Sequence, residues 1–447
     1  MIATSTETWA RWHSSAEEPW NVARVAHLHR RAGFGANWQT LQRDLRTGPD
    51  EAIDRILAGR QDASFEPQEF HSMSQSLCDA AVSTGDINRL KAWWFFRLIS
   101  TSDPLRERLA LMWHHHFATS NVKVDDVHLM RQHVDTLIKS ARGSFAELLE
   151  KVAKDPAMLI WLDAAANRQE HPNENLAREI MELFALGEGN YSENDIKEAA
   201  RALTGWSVRS EKFYQDSTHH DPGGKTIFGE SGPFDGDDLL RLLLMQPSAP
   251  RRVAFRICQT LLGEGVATNT QIEALGRGLF EHDWDIMWAV ETVLRSRTFF
   301  DMRAIRSRVA SPVDFVVGAI RSLDITEPPP SNLVLSEVAS NLGQSLFEPP
   351  NVFGWPGGRA WLTNRALIGR ANFAASLIRG EAHTARHPFD AKNLAKRYGF
   401  GDKSEVGTFY AQLLLGREEL PPAFANATSE PNRLVIEILS SPEMQLS

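Results

Sequence analysis

The chain has 447 residues, with 57 acidic against 48 basic side chains and a formal net charge of -9. That balance argues against a general nucleic-acid-binding role, which needs a basic face, and no apolar run reaches the roughly 20 residues of a membrane span. Two cysteines far apart in sequence, Cys78 and Cys258, give neither a disulfide framework nor a zinc–thiolate signature and read as two buried thiols.

The N-terminal residues lack a signal-peptide core, so a cytoplasmic setting is expected. Helical periodicity starts at Trp20–Arg31, gives way to the glycine-punctuated Ala32-Gly-Phe-Gly35, and resumes over 37–47 and 50–59 around a Gly48-Pro49 break. Residues 86–100 read as a well-buried helix behind an Asp86 cap, and Ser102-Asp-Pro104 marks a stop and restart. In the next helix, from Leu105 to about Phe117, Leu105, Leu109 and Met112 define an apolar face with His116 in its middle. His114 points the opposite way, so His114-His115-His116 do not form a ligand set on one face unless the helix unwinds near Ala118-Thr-Ser-Asn121. Further helices are expected over 125–141 and 144–154.

His171 to Gly187 reads as a helix that starts at Pro172-Asn173 and stops at Gly187. At 100° per residue, Leu176, Ile180, Leu183, Phe184 and Leu186 form one apolar arc with Glu179 inside it and Asn175 and Glu182 at its edge, while Glu174 and Arg178 fall on the far side. A carboxylate in that place must be paired, hydrogen-bonded or protonated. Ser192-Glu-Asn-Asp195 resembles a capping box opening a helix that runs to Gly205, and Arg201 on that helix is a natural counter-ion for Glu179 or Glu182. Periodicity is lost over 207–238, where VRSEKFYQD and KTIFG are expected to pair as a short hairpin. That irregular insert carries His219-His220-Asp221-Pro-Gly-Gly-Lys225 and Phe234-Asp-Gly-Asp-Asp238, the latter read as a solvated turn. Helices resume from Leu239 to about Leu323, with a proline-rich turn at Glu327-Pro-Pro-Pro330 and a conspicuous loop at Phe347–Gly358. The fold class expected is mainly α, a large multi-helix domain spanning 1–447 or two packed helical lobes, with a sub-boundary near 326–332.

Six segments, His29-Arg-Arg-Ala-Gly-Phe-Gly35, Trp113-His-His-His-Phe-Ala-Thr-Ser120, Asn173-Glu-Asn-Leu-Ala-Arg-Glu179, Arg201-Ala-Leu-Thr-Gly-Trp206, His220-Asp-Pro-Gly-Gly-Lys225 and Pro349-Pro-Asn-Val-Phe-Gly-Trp-Pro-Gly-Gly358, occur in this order along the chain. Together they resemble the bacterial domain-of-unknown-function family 1800. The resemblance implies a mainly helical protein without an assigned activity. It also implies a relationship to many exported proteins and an association with a sulfatase-like family, domain-of-unknown-function 1501. His115 stands where that family commonly has Asn, which makes the middle histidine a poor candidate for an essential role.

Three readings of the polar residues compete. In the first, buried carboxylates perform acid/base hydrolysis of a glycan or similar polar substrate: Glu179 is the general acid or base, Glu182 or Asp221 the second carboxylate, and His116 and His220 transfer protons. Asn173, Glu174, Asn175, Arg178, Arg201 and Lys225 would bind the substrate, with Trp206 and Trp355 as stacking faces. For Glu179 taken alone, a structural ion pair with Arg178, Arg201 or Arg108 weighs more. In the second reading, a metal-dependent hydrolase or oxidoreductase, His114 or His116, one of Glu179 and Glu182, and His220 or Asp221 hold a zinc, manganese or iron ion, so the cofactor is a divalent metal or none. In the third the chain is a non-catalytic binding or assembly module. The acid/base reading is placed first, with all these segments expected to converge on one polar cleft.

Overall fold

The computed structural model describes residues 8–59, 67–326, 329–381 and 387–447. Among them are more than twenty helices and two separate two-stranded antiparallel sheets, so the mainly helical expectation is met. The break expected around Glu327-Pro328 lies outside the described residues.

Short polar caps set the helix starts. Asp86 accepts from the Asn88 N–H, Asp103 from the Arg106 N–H ahead of Pro104, and Ser192 with Asp195 forms the expected capping box. Asp235 and Asp238 form another, so Phe234–Asp238 is the start of the Gly236–Leu244 helix rather than a solvated turn. The two thiols are free and buried, as expected.

The Pro104–His116 helix occupies the centre. Its neighbours are the helices Val22–Ala32, Ile87–Ser100, Val127–Ser140 and Ser248–Leu261. It stays helical through His116 and is buried on nearly every side, which is why its sequence shows no clean polar face. Trp94, Trp113, Phe117 and Phe145 fill the space around it.

The His171–Gly187 segment departs from a uniform helix. Only Asn175–Glu179 is α-helical, and Ile180–Ala185 then forms a π turn, closed by the Leu186 N–H on the Met181 carbonyl. A π turn adds a residue to the hydrogen-bonded ring and rotates the side chains beyond it, so the 100° wheel fails after Glu179. Glu179 is consequently half-buried rather than enclosed in the apolar arc, and Glu182 is half-buried as well.

The insert forms two hairpins instead of one. β1 (Trp206–Arg209) pairs with β2 (Lys212–Gln215), and β3 (Lys225–Ile227) pairs with β4 (Glu230–Gly232). Each closes through two residues with positive φ, Ser210-Glu211 and Phe228-Gly229, the geometry whose twist suits a two-residue hairpin. Ser-Glu and Phe-Gly lack the usual Asn-Gly signature, so the expected pairing of VRSEKFYQD with KTIFG is replaced by pairing within each segment.

Candidate functional site

A helix ends with carbonyls that have no partner within it, and the buried π turn places such groups where water does not reach them. Arg252, on the Ser248–Leu261 helix, donates from Nε and Nη2 to the Leu183 carbonyl at 3.2 and 3.0 Å. His116 donates from Nε2 to the Phe184 carbonyl at 2.9 Å, and Asn190 donates to the carbonyls of Leu186 and Gly187, both at 3.1 Å. Three elements thus lock the turn from outside, and Glu179 and Glu182 ride on it.

The carboxylates around this turn are engaged with two exceptions, the half-buried Glu179 and the exposed Glu188 on the cleft wall. Glu174 and Glu193 both take Arg178, at 3.0 and 2.9 Å. Glu182 accepts a 2.6 Å hydrogen bond from the Tyr191 hydroxyl, and Glu198 pairs with Arg201. The Glu179 carboxylate has no hydrogen bond or ion pair among the described residues. Burial, followed by the neighbouring Glu182, raises its pKa, and Arg178 only partly opposes them. None of the three expected counter-ions pairs with it: Arg178 is held by Glu174 and Glu193, Arg201 by Glu198 and Asp221, and Arg108 by Asp314.

Across from the turn, burial lowers the Arg252 pKa while the Glu182 charge raises it. Arg256, one helical turn further on, has no described ion pair and is pushed down to about 10 by burial and by Arg252. A cleft of about 240 Å³ opens beside them, lined by Gly187, Asn190, Arg251, Arg252, Phe255 and Asn269. Arg252 is common to the cleft wall and the surroundings of Glu182.

The other residues singled out in the sequence form separate networks. Arg201 Nε donates to Asp221 at 2.7 Å and Nη1 to Glu198, so the expected pairing of Arg201 with Glu179 or Glu182 is replaced by a clamp between the Glu193–Ala202 helix and the insert. The Gly223 N–H donates to Asp221 Oδ1 at 2.8 Å, an Asx-type turn, and Lys225 Nζ donates to the carbonyls of Asp221 and Gly223. Burial works against the Asp221 charge, yet Arg201, the Gly223 N–H and Lys225 together keep its pKa below the ordinary carboxylate value. His220 Nδ1 lies 3.0 Å from the Thr204 carbonyl.

Asn173 and Asn175 are also committed locally. The Asn175 N–H donates to Asn173 Oδ1, the Asn173 N–H to Asn167 Oδ1, and Asn175 Nδ2 to the Leu162 carbonyl. Asn167 further donates to the Ala200 carbonyl and accepts from the Gly205 N–H. The Asn-Glu-Asn and Thr-Gly-Trp motifs therefore meet through this residue. Trp206 and Trp355 are 1% and 3% exposed and offer no stacking face. Trp206 lies over Gly236, where a Cβ would come within 2.2 Å of its ring, and Trp355 packs on His114 and His115.

The proposed ligand set His114, His116, Glu179 and His220 does not fit a metal centre. His114 Nε2 accepts the Phe347 N–H at 3.0 Å, and His116 Nε2 carries the proton given to Phe184. No group of three His, Cys, Asp or Glu side chains is arranged to hold a metal ion among the described residues. Burial holds both histidines well below the ordinary imidazole value. They are neutral packing groups.

Sequence reasoning missed Tyr191, Arg252, Arg256 and Asn190. Arg252 and Arg256 stand four apart on a recognisable helix, a visible signal of a shared face, whereas nothing local connects Tyr191 or Asn190 to the carboxylates. No described helix is long and apolar enough to cross a membrane.

These features define a large helical protein with a carboxylate-bearing π turn joined through Arg252 to a neighbouring arginine-lined cleft. The chain belongs to the family described as Protein of unknown function (DUF1800), which matches residues 27–446. A search of curated proteins and a search of solved structures each found no match.

Proposed function

We propose that this protein is a hydrolase acting on a glycan or related polar substrate at the cleft beside the π turn, with Glu179 as the proton donor. The observation that carries this reading is the unpartnered, half-buried Glu179 carboxylate in a neighbourhood where Glu174, Glu182, Glu193 and Glu198 are engaged and the other unpartnered acid, Glu188, is exposed. A structural ion pair would consume such a group. A general acid has to remain available and protonated, which burial and the adjacent Glu182 promote.

Glu182 supplies the second carboxylate, held in place by the Tyr191 hydroxyl. Protonated Glu179 gives its proton to the leaving oxygen as the bond to it breaks, while Glu182 takes a proton from the attacking water. Neither acid lines the cleft itself; Arg252 on the neighbouring helix lines it and reaches the turn that carries Glu182, so it is the polar group that links the two. Its guanidinium suits a hydroxyl or carboxylate of the substrate. With Trp206 and Trp355 buried, Phe255 on the cleft wall and Tyr191, bonded to Glu182, are the aromatic side chains this reading offers the substrate.

The test is a screen of 4-nitrophenyl glycosides, polysaccharides and esters with the full chain and with Glu179→Gln. Turnover that falls by at least about 100-fold in a variant with an unchanged circular dichroism spectrum would support the role. Turnover unaffected by the substitution, or absent across the panel, would refute it.

A further inference from the structure

The region around the His29–Gly35 motif contains an imbalance of buried charge. Arg31 and Arg370 are fully buried, Arg108 is 3% exposed, and Arg30 and Arg308 lie close enough to act electrostatically on this group. Asp314 is the carboxylate shared among them, bonded to Arg108 and, at 2.7 Å, to Arg308. Most of the other donor contacts go to neutral carbonyls: Arg30 to Leu414, Arg31 to Leu262 and Ala304, Arg108 to Gly33, and Arg370 to Ala310. Carbonyls satisfy N–H groups but do not neutralise charge. Among the described residues Asp314 is the one carboxylate in an ion pair with these five guanidiniums, so they exceed it in charge. Arg31 Nε and Nη1 and Arg370 Nε also lack partners. Several uncompensated charges in a dry environment are costly, and a bound anion is the simplest relief.

A cavity of about 40 Å³ lies at the edge of this group, lined by Arg30, Phe34, Arg108, Asp314 and Ser322, while Arg31, Arg308 and Arg370 stand behind its wall. At roughly 10–15 Å³ for one water, it admits about three waters or one oxyanion of a few atoms. Ser322 Oγ has no described hydrogen bond and is a free donor toward that space. Planar guanidiniums from two different helices, with a hydroxyl, suit the several oxygens of a tetrahedral anion. We infer that this cavity binds one small oxyanion of the phosphate or sulfate class, held by Arg30, Arg108 and Ser322. The site is independent of the cleft beside the π turn.

Equilibrium dialysis of the desalted full chain against radiolabelled inorganic phosphate and sulfate tests the assignment, with ion chromatography of the denatured protein to count anion retained through purification. Melting temperatures alone do not decide it, because both salts stabilise folded proteins by exclusion from their surface. The expected result is one anion per chain, bound or released, with at least tenfold weaker binding in Arg30→Gln or Ser322→Leu. The second variant fills the cavity and keeps every arginine, so the test stands even if the first does not fold. Less than about a tenth of an anion per chain in both assays, or unchanged binding in the folded variants, would overturn the inference.

Discussion

Removing the His116 ring takes away the donor that holds the Phe184 carbonyl and leaves a buried acceptor unpaired. His116→Phe keeps most of the volume, so the expected cost is about 1–3 kcal/mol, read as a lower urea midpoint. Glu179 makes the opposite prediction, since its carboxylate holds nothing: Glu179→Gln should leave the midpoint nearly unchanged while abolishing turnover. A general acid works only when protonated. Activity should therefore decline as pH rises through the raised pKa of Glu179, and a wild-type pH–rate profile lacking this basic limb would contradict the assignment. At this scale the sequence placed an oddly positioned carboxylate, Glu179, on one helix. It suggested the wrong partners, because Arg178, Arg201 and Arg108 each find acids on elements distant in sequence or on the next helix.

The π turn and the hairpins show what periodicity cannot detect. Leu176, Ile180, Leu183 and Phe184 keep a helical spacing, but the turn beyond Glu179 is fixed by Arg252, His116 and Asn190 reaching its carbonyls from elsewhere. In the first hairpin Glu211 holds φ +60, a conformation that costs a non-glycine residue about 1 kcal/mol or more. Glu211→Gly should therefore raise stability by roughly that amount. Its ion pair with His128 is exposed and contributes little against this gain. An unchanged or lowered thermal midpoint would show that the turn carries no such strain. Gly236→Ala should do the reverse, since the added methyl meets the Trp206 ring at 2.2 Å, with a loss of about 1–3 kcal/mol in the same measurement.

For the molecule as a whole, the buried imidazoles predict acid sensitivity above the carboxylate range. His27, His114 and His116 are held well below the ordinary value of 6.5, in each case mainly by burial, and His115 is pushed down to about 4. The native state thus binds fewer protons than the unfolded chain below pH 6.5. Stability is fully present above that value and falls as pH drops, by up to about 1.4 kcal/mol per unit for each histidine. Asp44 and Asp314 are held below the usual carboxylate range. Burial opposes this in both, while His29 and Arg43 outweigh it at Asp44 and Arg108 and Arg308 at Asp314. Their contribution is present above the unfolded value near 3.9 and is lost only at lower pH. Urea midpoints at pH 7.5 and 5.0 should differ by several kcal/mol of stability. Equal midpoints would mean that these rings are protonated or accessible in the native state.

Composition, caps and periodicity determined a mainly helical protein with a short β-rich insert, buried thiols and a carboxylate placed oddly on one helix. These are local properties, set by backbone propensity and by the side chain's own cost of burial. Which acids remain unpaired, how the insert pairs, where the tryptophans turn and which arginines line a cavity were decided only in the tertiary structure. Each depends on groups far apart in sequence meeting in space, as Arg252 meets Leu183 and Arg108 meets Asp314, and no local pattern encodes the distance between them.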